Sequence, residues 1–76
     1  MNRFLEMRNL IEVLEDEDPA RALPALARLR ELLHARELEL VARAKEEGAS
    51  VRQLARLMGI SKDRVFRHFG HLPPAD

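Results

Sequence analysis

The stretch Ser50-Val51-Arg52-Gln53-Leu54-Ala55-Arg56-Leu57-Met58-Gly59-Ile60-Ser61-Lys62-Asp63-Arg64-Val65-Phe66-Arg67-His68-Phe69 decides the fold of this 76-residue chain. Ser50 followed three residues later by Gln53 reads as a capping box. The serine hydroxyl accepts from the Gln53 amide while the Gln53 side chain returns to the Ser50 amide. Leu54, Ala55, Leu57 and Met58 then supply an apolar face at helical spacing. Gly59 ends that helix, because glycine takes a left-handed conformation without steric cost. Ser61 caps a further helix, 61–69, in which Val65 and Phe69 point inward. Two short helices joined by a tight turn at Met58-Gly59-Ile60-Ser61 are therefore predicted. Small Ala55 sits where they cross, and Leu54, Met58, Ile60, Val65 and Phe69 fill the angle between them.

Working outward, Lys45-Glu46-Glu47-Gly48-Ala49 closes a long helix predicted from about Pro24 to Glu47, with Gly48 as its C-terminal cap. Leu26, Leu29, Leu33, Leu40 and Ala44 trace one face, with Leu23, Leu32 and Val41 beside it. Arg36 and Glu37 interrupt the stripe, so it is not a clean coiled-coil seam, and Leu38 lies off it. Such a helix spans about 35 Å, longer than a compact three-helix unit needs. Its first half is expected to pack on the first helix and its second half on the C-terminal unit. Asp18-Pro19 reads as a cap and a first-turn proline. Pro24 removes a helix-interior hydrogen bond, so either a short turn covers 19–23 or Pro24 itself opens the long helix. The first helix is predicted over about Asn2 to Glu15, with Phe4, Met7, Ile11 and Leu14 in one stripe that Leu5, Leu10 and Val13 widen. The acidic run Glu15-Asp16-Glu17-Asp18 opposes the dipole at its end and stops it.

Composition agrees with an all-α fold. Thirteen Leu, ten Ala and eleven Arg stand beside no Thr, Tyr or Trp, and the abundant types favour helices over strands. The chain lacks cysteine, which excludes disulfides and thiolate zinc sites. A chain this short builds a small core, and without a covalent staple the remaining one is self-association. Glu6, Arg8 and Glu12 interrupt the opening apolar run, so neither a secretory signal nor a spanning helix is expected. No membrane association and a cytoplasmic location follow as expectations.

Thirteen basic residues balance thirteen acidic ones, yet the charge is unevenly placed. Residues 1–18 carry two basic and six acidic groups, a net of −4. Residues 19–49 carry six and five, a net of +1. Residues 50–76 carry five and two, a net of +3. The basic end is the candidate for an anionic partner.

The stretch from Ser50 to Phe69 resembles the helix-turn-helix of bacterial DNA-binding regulators, and preceded by Glu47-Gly48 it is most similar to the resolvase/invertase type. The segment Val65-Phe66-Arg67-His68-Phe69 also looks like the recognition helix of the TetR class. The resemblance covers roughly residues 38–70 and extends to neither a recombinase catalytic domain nor a ligand-binding domain. It implies double-stranded DNA binding, with helix 61–69 in the major groove led by its N-terminal residues. The base-contact candidates are Ser61, Lys62, Asp63, Arg64, Phe66 and Arg67. Arg64 and Arg67 suit guanine edges, Asp63 suits cytosine N4, and Phe66 suits a thymine methyl. Where relatives carry Tyr, Phe66 has no hydroxyl for a phosphate, and it could instead pack on the N-terminal helices. The phosphate-contact candidates are Ser50, Arg52, Gln53, Arg56, His68 and His71.

The expected organisation is a helical association region over 1–37, a trihelical helix-turn-helix unit over 38–71, and a flexible tail over 72–76. Phe4, Met7, Ile11, Leu14, Leu26, Leu29 and Leu33 carry more apolar surface than two helices cover, which makes them candidates for a homodimer interface. The alternative is that the first helix folds back over the C-terminal unit. A dimer would read a palindromic site with half-sites about one helical turn apart. The acidic N-terminal helix is also a candidate surface for a protein partner, so a module docking on the transcription machinery is the second function class.

Other chemistry finds no support. His68 and His71 lack a third ligand and His34 is distant, so no metal site is expected. The acidic run lacks the glycine and alternating ligands of a calcium loop. Ser50 and Ser61 are caps without a base to activate them. No glycine-rich phosphate cradle is present. Neither a catalytic residue nor a cofactor is predicted.

Overall fold

A computed structural model describes residues 2–70. Among these residues the chain forms four helices and no strand: α1 (Arg3–Val13), α2 (Pro19–Glu46), α3 (Val51–Met58) and α4 (Lys62–Phe69). No helix among them is long and apolar enough to cross a membrane. His71 and the tail 72–76 lie outside the described residues.

Each boundary has a local cause. Asn2 caps α1, its side-chain oxygen accepting from the Phe4 amide at 2.7 Å. The helix ends at Val13 rather than Glu15. Beyond it the acidic residues cap and turn the chain. The Asp16 carboxylate accepts from the Asp18 amide at 2.8 Å, and the Asp18 carboxylate accepts from the Ala20 amide at 3.0 Å.

Asp18 thus caps α2 with Pro19 in its first turn, and the helix runs unbroken through Pro24. Both expectations for residues 19–24 are corrected: no separate turn covers 19–23, and Pro24 does not open the helix. Pro24 and Ala20 are exposed, so the Ala20 carbonyl that loses its amide partner can be satisfied by water.

The chain packs as two units that divide between Arg36 and Glu37, within α2. In the first unit, Met7 of α1 is buried with Leu29 and Leu32 of α2, flanked by Leu10 and Leu14. Ala25 is buried on the same helix. The buried line of α2 is therefore Ala25, Leu29 and Leu32, one step round from the expected stripe. Leu23, Leu26, Leu33 and Leu40 are exposed. Hydrophobicity alone could not choose between adjacent leucine lines on a helix with leucine on several sides. One flank is closed by Arg28, whose guanidinium donates to Glu6 at 3.0 Å and to Glu31 at 3.2 Å.

In the second unit, Val41, Leu54, Ala55, Val65 and Phe69 form one core, with Leu38, Ala44, Ala49, Val51, Met58 and Ile60 packed around it. Val65 retains only 1% of its surface and Phe69 only 2%. Fully burying a side chain of this kind contributes roughly 1.5–3 kcal/mol, so this cluster is the main stabilising term of the unit.

Candidate nucleic-acid interface

The start of α3 carries the capping box. The Gln53 amide donates to Ser50 Oγ at 3.1 Å, and the Ser50 amide donates to Gln53 Oε1 at 2.7 Å. Two glycine turns set the angles between elements. After α2, Gly48 has φ +94°, the Gly48 amide donates to the Lys45 carbonyl, and the Ala49 amide donates to the Ala44 carbonyl. After α3, Gly59 has φ +68°, with the Gly59 amide on the Arg56 carbonyl and the Ile60 amide on the Ala55 carbonyl. Both are Schellman closures.

Ser61 begins α4, its hydroxyl accepting from the Arg64 amide at 3.2 Å. The far end of α4 is held by Lys45, whose ammonium donates to the Phe69 carbonyl at 3.0 Å. A cation at a helix C-terminus satisfies an orphan carbonyl and complements the dipole. Lys45 is a positioning residue that the sequence reading missed. Its signal was only that of a charged residue near a helix end.

Fixed at both ends, α4 turns Val65 and Phe69 into the core and leaves its other side open. Ser61, Lys62, Asp63, Arg64, Phe66 and Arg67 are all exposed. Phe66 keeps 62% of its surface, so it faces outward rather than packing as a core residue. On α3, Arg52, Gln53 and Arg56 are exposed, as are Ser50 and His68. Ser50, Ser61 and Gln53 each hold an acceptor oxygen in a cap, which leaves their donors for an outside group. His71 lies outside the described residues.

The electrostatics of this surface are one-sided. Residues 50–70 hold Arg52, Arg56, Lys62, Arg64 and Arg67 against Asp63, five minus one, or +4. None of those five cations forms an ion pair or side-chain hydrogen bond with a described residue. Elsewhere Arg28 pairs with Glu6, Arg21 with Asp16 at 3.4 Å and Arg43 with Glu47 at 3.9 Å, whereas Arg8 and Arg30 form no such pair with a described residue.

Leu57 is a second residue the sequence reading misplaced. It was expected on the apolar face of α3, yet 77% of its surface is exposed. Leu54, Ala55 and Met58 fill the inward arc of this two-turn helix, so Leu57 falls outside it. It borders a shallow groove lined by Ala44, Ala49, Gln53 and Arg56.

Of the residues expected between copies, Met7 and Leu29 are instead buried within the first unit, and Leu14 packs beside them. Phe4, Ile11, Leu26 and Leu33 remain exposed. Comparison with protein-family models, curated proteins and solved structures finds no match for the chain.

Proposed function

We propose that this chain is a sequence-specific double-stranded DNA-binding protein, a small bacterial transcriptional regulator acting in the cytoplasm as a homodimer. The N-terminal helices serve association, and the trihelical C-terminal unit reads DNA with α4 in the major groove. The observation that carries this reading is the set of five unengaged cations on the outer side of a capped, glycine-turned helix pair. Unpaired surface cations are what a phosphate backbone needs, since each one that neutralises a phosphate releases condensed counterions. The resemblance of residues 50–69 to bacterial helix-turn-helix units supports the same assignment.

The roles divide by position. Arg64 and Arg67 present guanidinium forks to guanine, Asp63 accepts from cytosine, and Phe66 meets a thymine methyl. Arg52, Arg56 and the capped start of α3 hold phosphate and fix register without specifying sequence. Selection of bound duplexes from a random pool tests this. A defined motif should emerge for the native chain, and R64E/R67E should lose it while keeping the helical circular dichroism. An unenriched pool would contradict the reading.

A second reading has its own support: exposed Leu57 beside its groove suits a protein contact, as in a module docked on the transcription machinery. Under that reading R64E/R67E would leave partner capture intact and L57E would abolish it.

A further inference from the structure

We infer that α4 reads a cytosine methylated at C5, with Asp63 accepting from the cytosine amino group and Phe66 lying against the methyl of the same base. This names a base that the proposed DNA-binding unit takes, and it rests on that reading.

Three outward side chains carry it. At about 100° per residue, Asp63 projects between Phe66, about 60° to one side, and Arg67, about 40° to the other. Residues three and four apart on a helix are surface neighbours, about 5–6 Å from one another at Cβ. All three are exposed, and Phe66 keeps 62% of its surface. Val65 and Phe69, held in the core, fix the side of α4 from which they project.

Asp63 narrows the choice of base. A carboxylate in the first turn of a helix suits the dipole. On this surface it stands among Lys62, Arg64 and Arg67, yet it forms no ion pair or side-chain hydrogen bond with a described residue. It therefore keeps its full acceptor capacity, and a phosphate would repel it. In the major groove the base-edge donors are cytosine N4 and adenine N6. Adenine sets its N7 acceptor beside N6, where it opposes a carboxylate, whereas cytosine sets the apolar C5 edge beside N4. Asp63 thus selects cytosine.

Phe66 then selects what C5 carries. An aromatic ring offers apolar contact and no hydrogen bond, so a methyl at C5 gives it more surface to bury. Thymine has that methyl, but its O4 acceptor stands where cytosine carries the amino group and would face Asp63. A cytosine methylated at C5 presents the amino donor and the methyl on one base edge. Arg67, on the far side of Asp63, is placed for the O6 and N7 of a guanine in an adjacent pair.

The test is fluorescence anisotropy of the full chain on the duplex motif selected from random pools built with cytosine or with 5-methylcytosine. The motif is then synthesised with 5-methylcytosine at one cytosine at a time. Methylation at one position should tighten binding about fourfold, the scale of one buried methyl group. Thymine at that position should bind more weakly than cytosine with or without the methyl. F66A should abolish the methyl preference while still binding the unmethylated duplex. D63N should exchange the cytosine preference for adenine, because Asn pairs bidentately with adenine N6 and N7. Both positions are exposed, so helical circular dichroism should be unchanged in each variant. Methylation that leaves binding unchanged or weaker at every cytosine, or a methyl preference that survives F66A, would overturn the inference and leave DNA binding standing. A folded chain that binds no duplex from either pool would overturn the inference together with the reading it rests on.

Discussion

Gly59 takes φ +68° with open space where a side-chain carbon would go, so its requirement is conformational rather than steric. Replacing it by Ala should cost about 1–2 kcal/mol, the left-handed penalty of a residue with a Cβ. Urea unfolding followed by circular dichroism should show the midpoint fall with the slope unchanged, and an unchanged midpoint would mean the turn is not formed in solution. At the same scale, Arg64 and Arg67 differ in kind from Arg52 under the proposed function. R64A or R67A should lose roughly 1–3 kcal/mol of discrimination at one base position. R52A should weaken all sequences alike and reduce the salt slope by about one. Equal losses across sequences for all three would refute the division between reading and holding. Caps and turns were the most legible features of this sequence, because Ser50, Gln53, Gly59 and Ser61 act through their own backbone neighbours. Lys45 was illegible, since its role depends on a carbonyl 24 residues away.

Pro24 shows what a helix tolerates when the rest of it is long. Propensity predicted a break there, but the Asp18 cap and the buried line Ala25, Leu29 and Leu32 outweigh one lost hydrogen bond at an exposed position. If α2 runs through Pro24, P24A should stabilise the chain by about 1–3 kcal/mol, toward the full helix-interior penalty of proline. A neutral effect in thermal unfolding would instead place the helix start at Pro24.

The contact between α1 and α2 carries a pH signature. The Arg28 guanidinium bonded to Glu6 holds that carboxyl below its ordinary range. A depressed carboxylate contributes stability that is present above the unfolded pKa and lost as pH falls through the folded one. Acid titration of stability should therefore show a small loss below the ordinary glutamate range, and R28Q should remove it. An identical acid profile in R28Q would show that the pair contributes nothing in solution. The number and order of helices followed from breakers and periodicity. The buried face of α2 did not, because Leu26 and Leu33 match its apolar pattern as well as Leu29 and Leu32 do. Only the packing of α1 distinguishes them.

At the scale of the whole molecule, a neutral chain conceals a division of charge. The acidic start and the basic end cancel in the total, and most of the cations without an ion pair among the described residues lie on α3 and α4. The organisation into two packed units with separate cores is consistent with separate tasks, pairing in the first and an anionic partner in the second. Fold class was legible at this scale, since Leu, Ala and Arg leave little material for strands. The second unit's outer surface was legible too, through the inward positions Val65 and Phe69 that force their neighbours outward.

The most direct measurement is fluorescence anisotropy of labelled duplex DNA titrated with the full chain at two ionic strengths. The cations of α3 and α4 predict binding that weakens on the order of 10²-fold per unit between about 50 and 200 mM salt. They also predict a subset of sequences that resists competition by random duplex. No binding by the folded chain at the lower salt, or binding indifferent to salt, would contradict the account.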